Sequence, residues 1–187
     1  MEKYYYFVSE LPALMFGQKS SVGCDYFLSE AAKWCTSRDY RLLSQLTLTA
    51  DSVEKGPVLL RGYQQFDIKV RQELAAFREA KQKGEDFSSG FLPDSILKEK
   101  NPLQREKNLM KYYWDFLDSR ESGHYFDFEY LAIYYLKLLI LRRLQETFDK
   151  EKGIRVFEDV VSVDLGEVVQ EYIEPDQMNQ MKKNQIG

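Results

Sequence analysis

The sequence predicts an all-α fold, a single-domain helical bundle with a buried central helix. Three observations predict it. Residues 130–141 are apolar or aromatic at every position except Lys137. Leu59, Tyr63, Phe66, Val70, Leu74 and Phe77 recur at three- and four-residue steps, a narrow helical seam. Asn101-Pro102 opens a further helical run that closes at Ser122-Gly123, just before the apolar stretch. Two long helices joined by so short a turn pack antiparallel.

The central stretch, 126–148, reads FDFEYLAIYYLKLLILRRLQETF. A bilayer crossing takes about 20 predominantly apolar residues. This run is shorter, is interrupted by Lys137, and runs straight into Arg142 and Arg143. It is also too long for a buried strand, which extends over about 4 to 8 residues. A helix that is apolar nearly all round is one surrounded by other helices. Tyr130, Tyr134, Leu138 and Leu141 share one face, and Ile133, Leu136, Ile140 and Leu144 another. Lys137 is expected to snorkel or to be paired.

The other elements follow in chain order. Residues 4–11 are aromatic and stop at Pro12; alternation suits a strand, periodicity a short helix, and the helical surroundings favour the helix. Residues 17–23 are small and polar, a loop. A helix is expected from Asp25 to about Trp34, with Phe27, Leu28, Ala31 and Trp34 on one face. Thr36 or Ser37 caps the next, which carries Tyr40, Leu43 and Leu46. After a linker at 47–57 comes the seam helix, 58–83, whose outer face (Lys69, Arg71, Glu73, Arg78, Glu79, Lys81) reads as solvated charge. Residues 81–92 form a flexible break.

Asn101 is a good N-cap, Pro102 suits the first helical position, and Gln104 is placed to complete a capping box. Leu103, Met110, Tyr113, Trp114 and Leu117 make the apolar face of that helix. Beyond Gly153, Val156, Phe157, Val160 and Val161 suit helix or strand. Asp164 with Glu167 resembles another capping box, ahead of Val168, Val169 and Tyr172. The domain is expected to span residues 1–174, with a disordered tail at 175–187.

Composition narrows the function classes. A length of 187 residues suits one domain, and a hydrophobic fraction of 44% suffices for a real core. A net charge of −4 argues against nucleic acid, so the 13 tyrosines and 12 phenylalanines read as core rather than base-stacking platforms. The opening MEKYYYFVSELP lacks the apolar run of a secretory signal. Cys24 and Cys35 fall at the two ends of one helix, about 16 Å apart at 1.5 Å per residue, too far to bridge. Free thiols without a signal point to the cytoplasm.

Motifs of chemistry are sparse. GQKS at 17–20 is a partial likeness to the end of a phosphate loop, but Gln18 separates Gly17 from Lys19 and Pro12 stands where the first glycine belongs. His124, the only histidine, is followed by Asp127 and Glu129, a conceivable general base; its position after Ser122-Gly123 favours a polar residue at a helix start. Glu85-Asp86 and Glu158-Asp159 are adjacent pairs that read as solvated charge rather than as a converging dyad. Arg142-Arg143 suits an acidic partner, and equally the carbonyl end of a helix. No catalytic, cofactor-binding or metal-ligating residue is expected.

Four phrases together resemble a known group: YYYFVSELPAL, CDYFLSEAAKWCTSRDYRLL, NPLQREKNLMKYYWDFL and YLAIYYLKLLILRRLQETFDKEKG. The group consists of uncharacterised bacterial proteins encoded among the genes of V-type ATPase subunits, and the likeness runs to about Val161. The resemblance implies a non-catalytic component of a rotary ATPase that moves protons or sodium. The implied place is that of the C-like, or d-type, adaptor, an all-helical body seating the central stalk on the membrane ring. Its partners would be the stalk and the ring, and its location cytoplasmic and peripheral to the membrane. Two other classes remain: a free-standing helical interaction module, and an enzyme or small-molecule binder with a tyrosine-lined interhelical pocket.

Overall fold

Apolar periodicity and capping chemistry divide the chain into seven helices among the described residues, 4–49 and 57–147 of a computed structural model. They are α1 (Tyr5–Glu10), α2 (Cys24–Trp34), α3 (Ser37–Ser44), α4 (Val58–Lys83), α5 (Asp94–Leu97), α6 (Pro102–Glu121) and α7 (Phe128–Thr147). No strand occurs among these residues, and the fold is all-α. All of them fall within one unit, Met1–Phe148. The expected elements after Gly153, the boundary at 174/175 and the tail at 175–187 lie outside the described residues.

α7 is the centre. Every residue from 131 to 141 is buried, and so is Leu144. α6, α2 and α3 pack around it, which is how a helix apolar on nearly every side avoids water. Its start is fixed by Asp127, whose Oδ1 accepts from the Tyr130 N–H at 2.9 Å and satisfies an amide that the helix itself leaves without a partner. The Tyr4 N–H donates to the Phe126 carbonyl at 3.0 Å, tying the N-terminal segment to the same end. Phe27 of α2 is wholly buried and stacks on both Tyr134 and Tyr135, at 5.6 and 5.3 Å between ring centroids, with Phe7 of α1 5.3 Å away. One ring thereby joins α1, α2 and α7.

α6 and α7 run antiparallel, as their ion pairs require: Arg143, late in α7, meets Glu106, early in α6, and Lys137 meets Asp118 and Glu121 late in α6. Lys137 is almost fully buried, and its stem lies among apolar neighbours while the ammonium is held by those two carboxylates. Of the two expectations for this residue, pairing is the outcome. α4 packs on α6 through a layer of rings. Phe66 stacks on Phe116 at 4.0 Å, with Tyr112, Tyr113 and Phe91 around it at 5.3 to 5.8 Å.

Several local expectations are corrected. Gln104 does not close a capping box: its amide donates to Asn108, and the Asn101 N–H donates instead to Glu99 Oε1 at 2.8 Å. A carboxylate two residues upstream is the stronger acceptor. Asn101 itself caps as expected, accepting from the Leu103 N–H. Leu103 is exposed, because the first turn of α6 projects past the core. Thr36, not Ser37, caps α3. Trp34 turns outward at the last turn of α2, and Leu46 falls beyond the end of α3.

The break after α4 is also more built than expected. It begins with Gly84 at φ +72, a left-handed closure that favours glycine. Ser89 Oγ then accepts from the Phe91 and Leu92 N–H groups. The chain buries Leu92 and then Ile96 and Leu97 on the short α5.

Candidate functional site

The most organised polar cluster grows from the inner stripe of α4. Asp67, Arg71, Leu74 and Arg78 follow at steps of four, three and four residues, so they share one face. α6 supplies Glu106, Met110 and Tyr113, at steps of four and three, with Leu109 beside them, and α7 supplies Arg143. These residues line a cleft of about 520 Å³, within the range of small-molecule sites.

Asp67 is 1% exposed, an expensive place for a carboxylate without partners. Tyr113 donates its hydroxyl to Oδ1 at 2.7 Å, and Arg71 holds Oδ2 at 2.8 Å. Burial pushes the Tyr113 hydroxyl far above its ordinary value, and its bond to Asp67 pushes the same way. The Tyr63 hydroxyl is raised likewise, first by burial and then by the Asp67 charge. Both phenols therefore stay protonated, and Tyr113 serves Asp67 as a donor. Together these bonds make the cluster a fixed polar floor to the cleft.

Arg71 and Arg78 are exposed, as expected of a solvated face, but both also line this cleft, and Arg71 is tied to a buried carboxylate. The expected seam passed over Asp67. The signal was present, since Asp67 stands four residues after Tyr63 and three before Val70, both buried.

Of the residues singled out in the sequence, Arg143 lines this cleft, His124, Asp127 and Glu129 come together at the start of α7, and Lys19, Glu85 and Asp86 lie apart from both. His124 Nδ1 is 2.6 Å from Asp127 Oδ2, the carboxylate whose other oxygen caps α7. The imidazole thus steadies a helix cap, which accounts for its place at the start of the helix. Donor atoms of His124, Asp127 and Glu129 lie within 4.8 Å of one another, so this partly exposed turn is the one trio among the described residues with the spacing of metal ligands.

Lys19 is exposed in the loop between α1 and α2, and α2 begins only at Cys24. A phosphate loop runs directly from its Lys into a helix, so the likeness at 17–20 lacks the geometry too. Glu85 and Asp86 line a separate cleft of about 670 Å³ among Lys81, Lys98, Lys100 and Arg105. Arg142 lies 3.8 Å from Glu146, and Arg143 braces α7 on α6 through Glu106. Glu158-Asp159 lies outside the described residues. Cys24 and Cys35 are free thiols; burial raises the Cys24 thiol above its ordinary value, which keeps it unreactive.

A second feature is apolar and open to solvent. Tyr5, Tyr6, Trp34 and Tyr125 are 48, 70, 47 and 66% exposed. Ring contacts join Trp34 to Tyr6 at 6.5 Å, Tyr6 to Tyr5 at 5.7 Å and Tyr5 to Phe126 at 4.9 Å. The short α1 turns Phe7 and Val8 inward, which leaves Tyr5 and Tyr6 outward against the end of α2. The expectation that aromatics form the core fails for this row. Among the described residues, no helix is long and apolar enough to cross a membrane.

Residues 92–165 match a protein family of unknown function, DUF2764. The described part of that match is α5, α6 and α7, so it contains the central helix, its antiparallel partner and the Lys137 ion pairs. The DUF2764 match agrees with the resemblance to an uncharacterised family and begins after α4, so the stripe from Asp67 to Arg78 lies outside it. No curated protein and no solved structure matches the chain.

Proposed function

We propose that the protein is a non-catalytic helical component of a bacterial V-type ATPase or ATP synthase. In this reading it is a C-like (d-type) adaptor between the central stalk and the membrane ring, held on the cytoplasmic side by its partners. The observation that carries the docking role is the row of exposed rings Trp34–Tyr6–Tyr5, continued inward by the half-buried Phe126. A contiguous set of exposed aromatic rings is what a protein-binding surface supplies, since Tyr and Trp dominate interface energetics. The choice of partner rests on the resemblance of the four sequence phrases to proteins encoded among V-type ATPase genes. A body organised around one buried helix, with its internal charge paired, suits a part that transmits force through packed surfaces.

Fractionation of two strains, one intact and one lacking the central-stalk proteins, tests this reading. The protein should sediment with membranes in the first and stay in the supernatant in the second. Equal membrane binding in both would mean direct contact with the bilayer or the ring. A protein that is soluble in both, with no ATPase component copurifying, rejects the adaptor role and leaves a free-standing interaction module. The α4–α6–α7 cleft favours a second reading, small-molecule binding, which does not depend on the first.

A further inference from the structure

We propose that the cleft between α4, α6 and α7 binds a small molecule with one anionic head and a short apolar body. Among the described residues the charges at its wall are unequal: Arg71, Arg78 and Arg143 stand with Asp67 and Glu106. Each carboxylate already holds one guanidinium, Asp67 with Arg71 at 2.8 Å and Glu106 with Arg143 at 2.7 Å. Arg78 makes no ion pair or hydrogen bond among the described residues, so the surplus cation of the cleft sits on its side chain.

A guanidinium offers a planar fork of donors to a carboxylate or phosphate, and it keeps its charge at any pH the fold survives. The remaining wall is mostly apolar, with Thr49 and Tyr113 as its polar members. Leu74, Leu109 and Met110 stand beside the arginines, and Met110 is buried. Asp67 is nine-tenths buried and more, and it fixes Tyr113 and Arg71 as part of the floor rather than as ligands for the anion. A polar head at the Arg78 rim with an aliphatic body toward Met110 uses both halves of the wall. An inorganic anion uses only the first, and a neutral hydrocarbon only the second.

The test is titration of the full-length, isotope-labelled protein with octanoate, with octanol and inorganic phosphate as separate probes. Backbone amide shifts provide the readout. Octanoate should shift the amides of Leu74, Leu109 and Met110 saturably. Arg78→Gln should weaken that binding about tenfold, the weight of one hydrogen bond to a charged group, with the helical spectrum unchanged because Arg78 is exposed and supports no other residue. Octanol binding as tightly as octanoate overturns the anionic head, and phosphate binding as tightly overturns the apolar body. Absence of saturable octanoate shifts, or an Arg78→Gln protein that binds like the parent, overturns the site.

Discussion

Asp67 sets the cost of disturbing a single residue. Its carboxylate is buried against Tyr113 and Arg71, so removing it takes the acceptor from the buried Tyr113 hydroxyl. Asp67→Ala should lower stability by about 1–3 kcal/mol, the penalty for an unsatisfied buried polar group, and urea unfolding measures it. The same cluster makes the fold sensitive to alkali. Tyr63 and Tyr113 are raised by burial, whereas tyrosines of the unfolded chain titrate near about 10. Above that pH the unfolded chain releases protons that the folded chain retains, so stability is intact below it and falls as pH rises past it. Thermal melts from neutral pH to well above the ordinary tyrosine range should show the decline, and Tyr113→Phe should make it shallower. An unchanged slope in that variant would count against Tyr113 as a source.

At the scale of elements, α7 carries the fold. Leu138 is 2% exposed in the middle of it, and Leu138→Asp should unfold the protein because an unpaired buried charge costs several kcal/mol; circular dichroism decides. Asp127→Ala, which removes the cap of α7 and the partner of His124, should cost about 1 kcal/mol and leave a folded protein with a lower melting temperature.

Elements with long periodic patterns were legible in the sequence. α4 runs over the expected residues, α6 ends where Ser122-Gly123 said it would, and α7 lies inside the central stretch 126–148. α5 was not legible, because four residues carry too little periodicity to register and are folded by burial of Ile96 and Leu97. The capping box at Gln104 failed through competition from Glu99, a contact that no local pattern encodes. The polar cleft escaped notice because Asp67, flanked by Phe66 and Ile68, breaks an apolar seam. Its partners Tyr113 and Arg143 come from helices far along the chain. Nor does aromatic content tell which rings face outward: Phe27 and Tyr6 belong to neighbouring helices, one wholly buried and the other 70% exposed.

For the whole molecule, the described residues combine a satisfied apolar interior with one exposed row of aromatic rings. The interior has no buried side-chain nitrogen or oxygen left without a hydrogen-bond partner among the described residues. The exterior row is where recognition is proposed; its exposed members Tyr5, Tyr6 and Trp34 precede the family match over 92–165, and Phe126 falls within it. The measurement that tests this most directly is affinity purification from native membranes. The tagged parent protein is compared with a Tyr6→Ser, Trp34→Ser double variant, and the copurifying proteins are identified by mass spectrometry. Both side chains are largely exposed, so the variant should keep its helical spectrum. The account predicts central-stalk and membrane-ring proteins with the parent and at least a tenfold loss with the variant, as expected when interface hot spots of about 2 kcal/mol or more are removed. Recovery of the parent without any ATPase component, or equal recovery of those components by the folded variant, would contradict it.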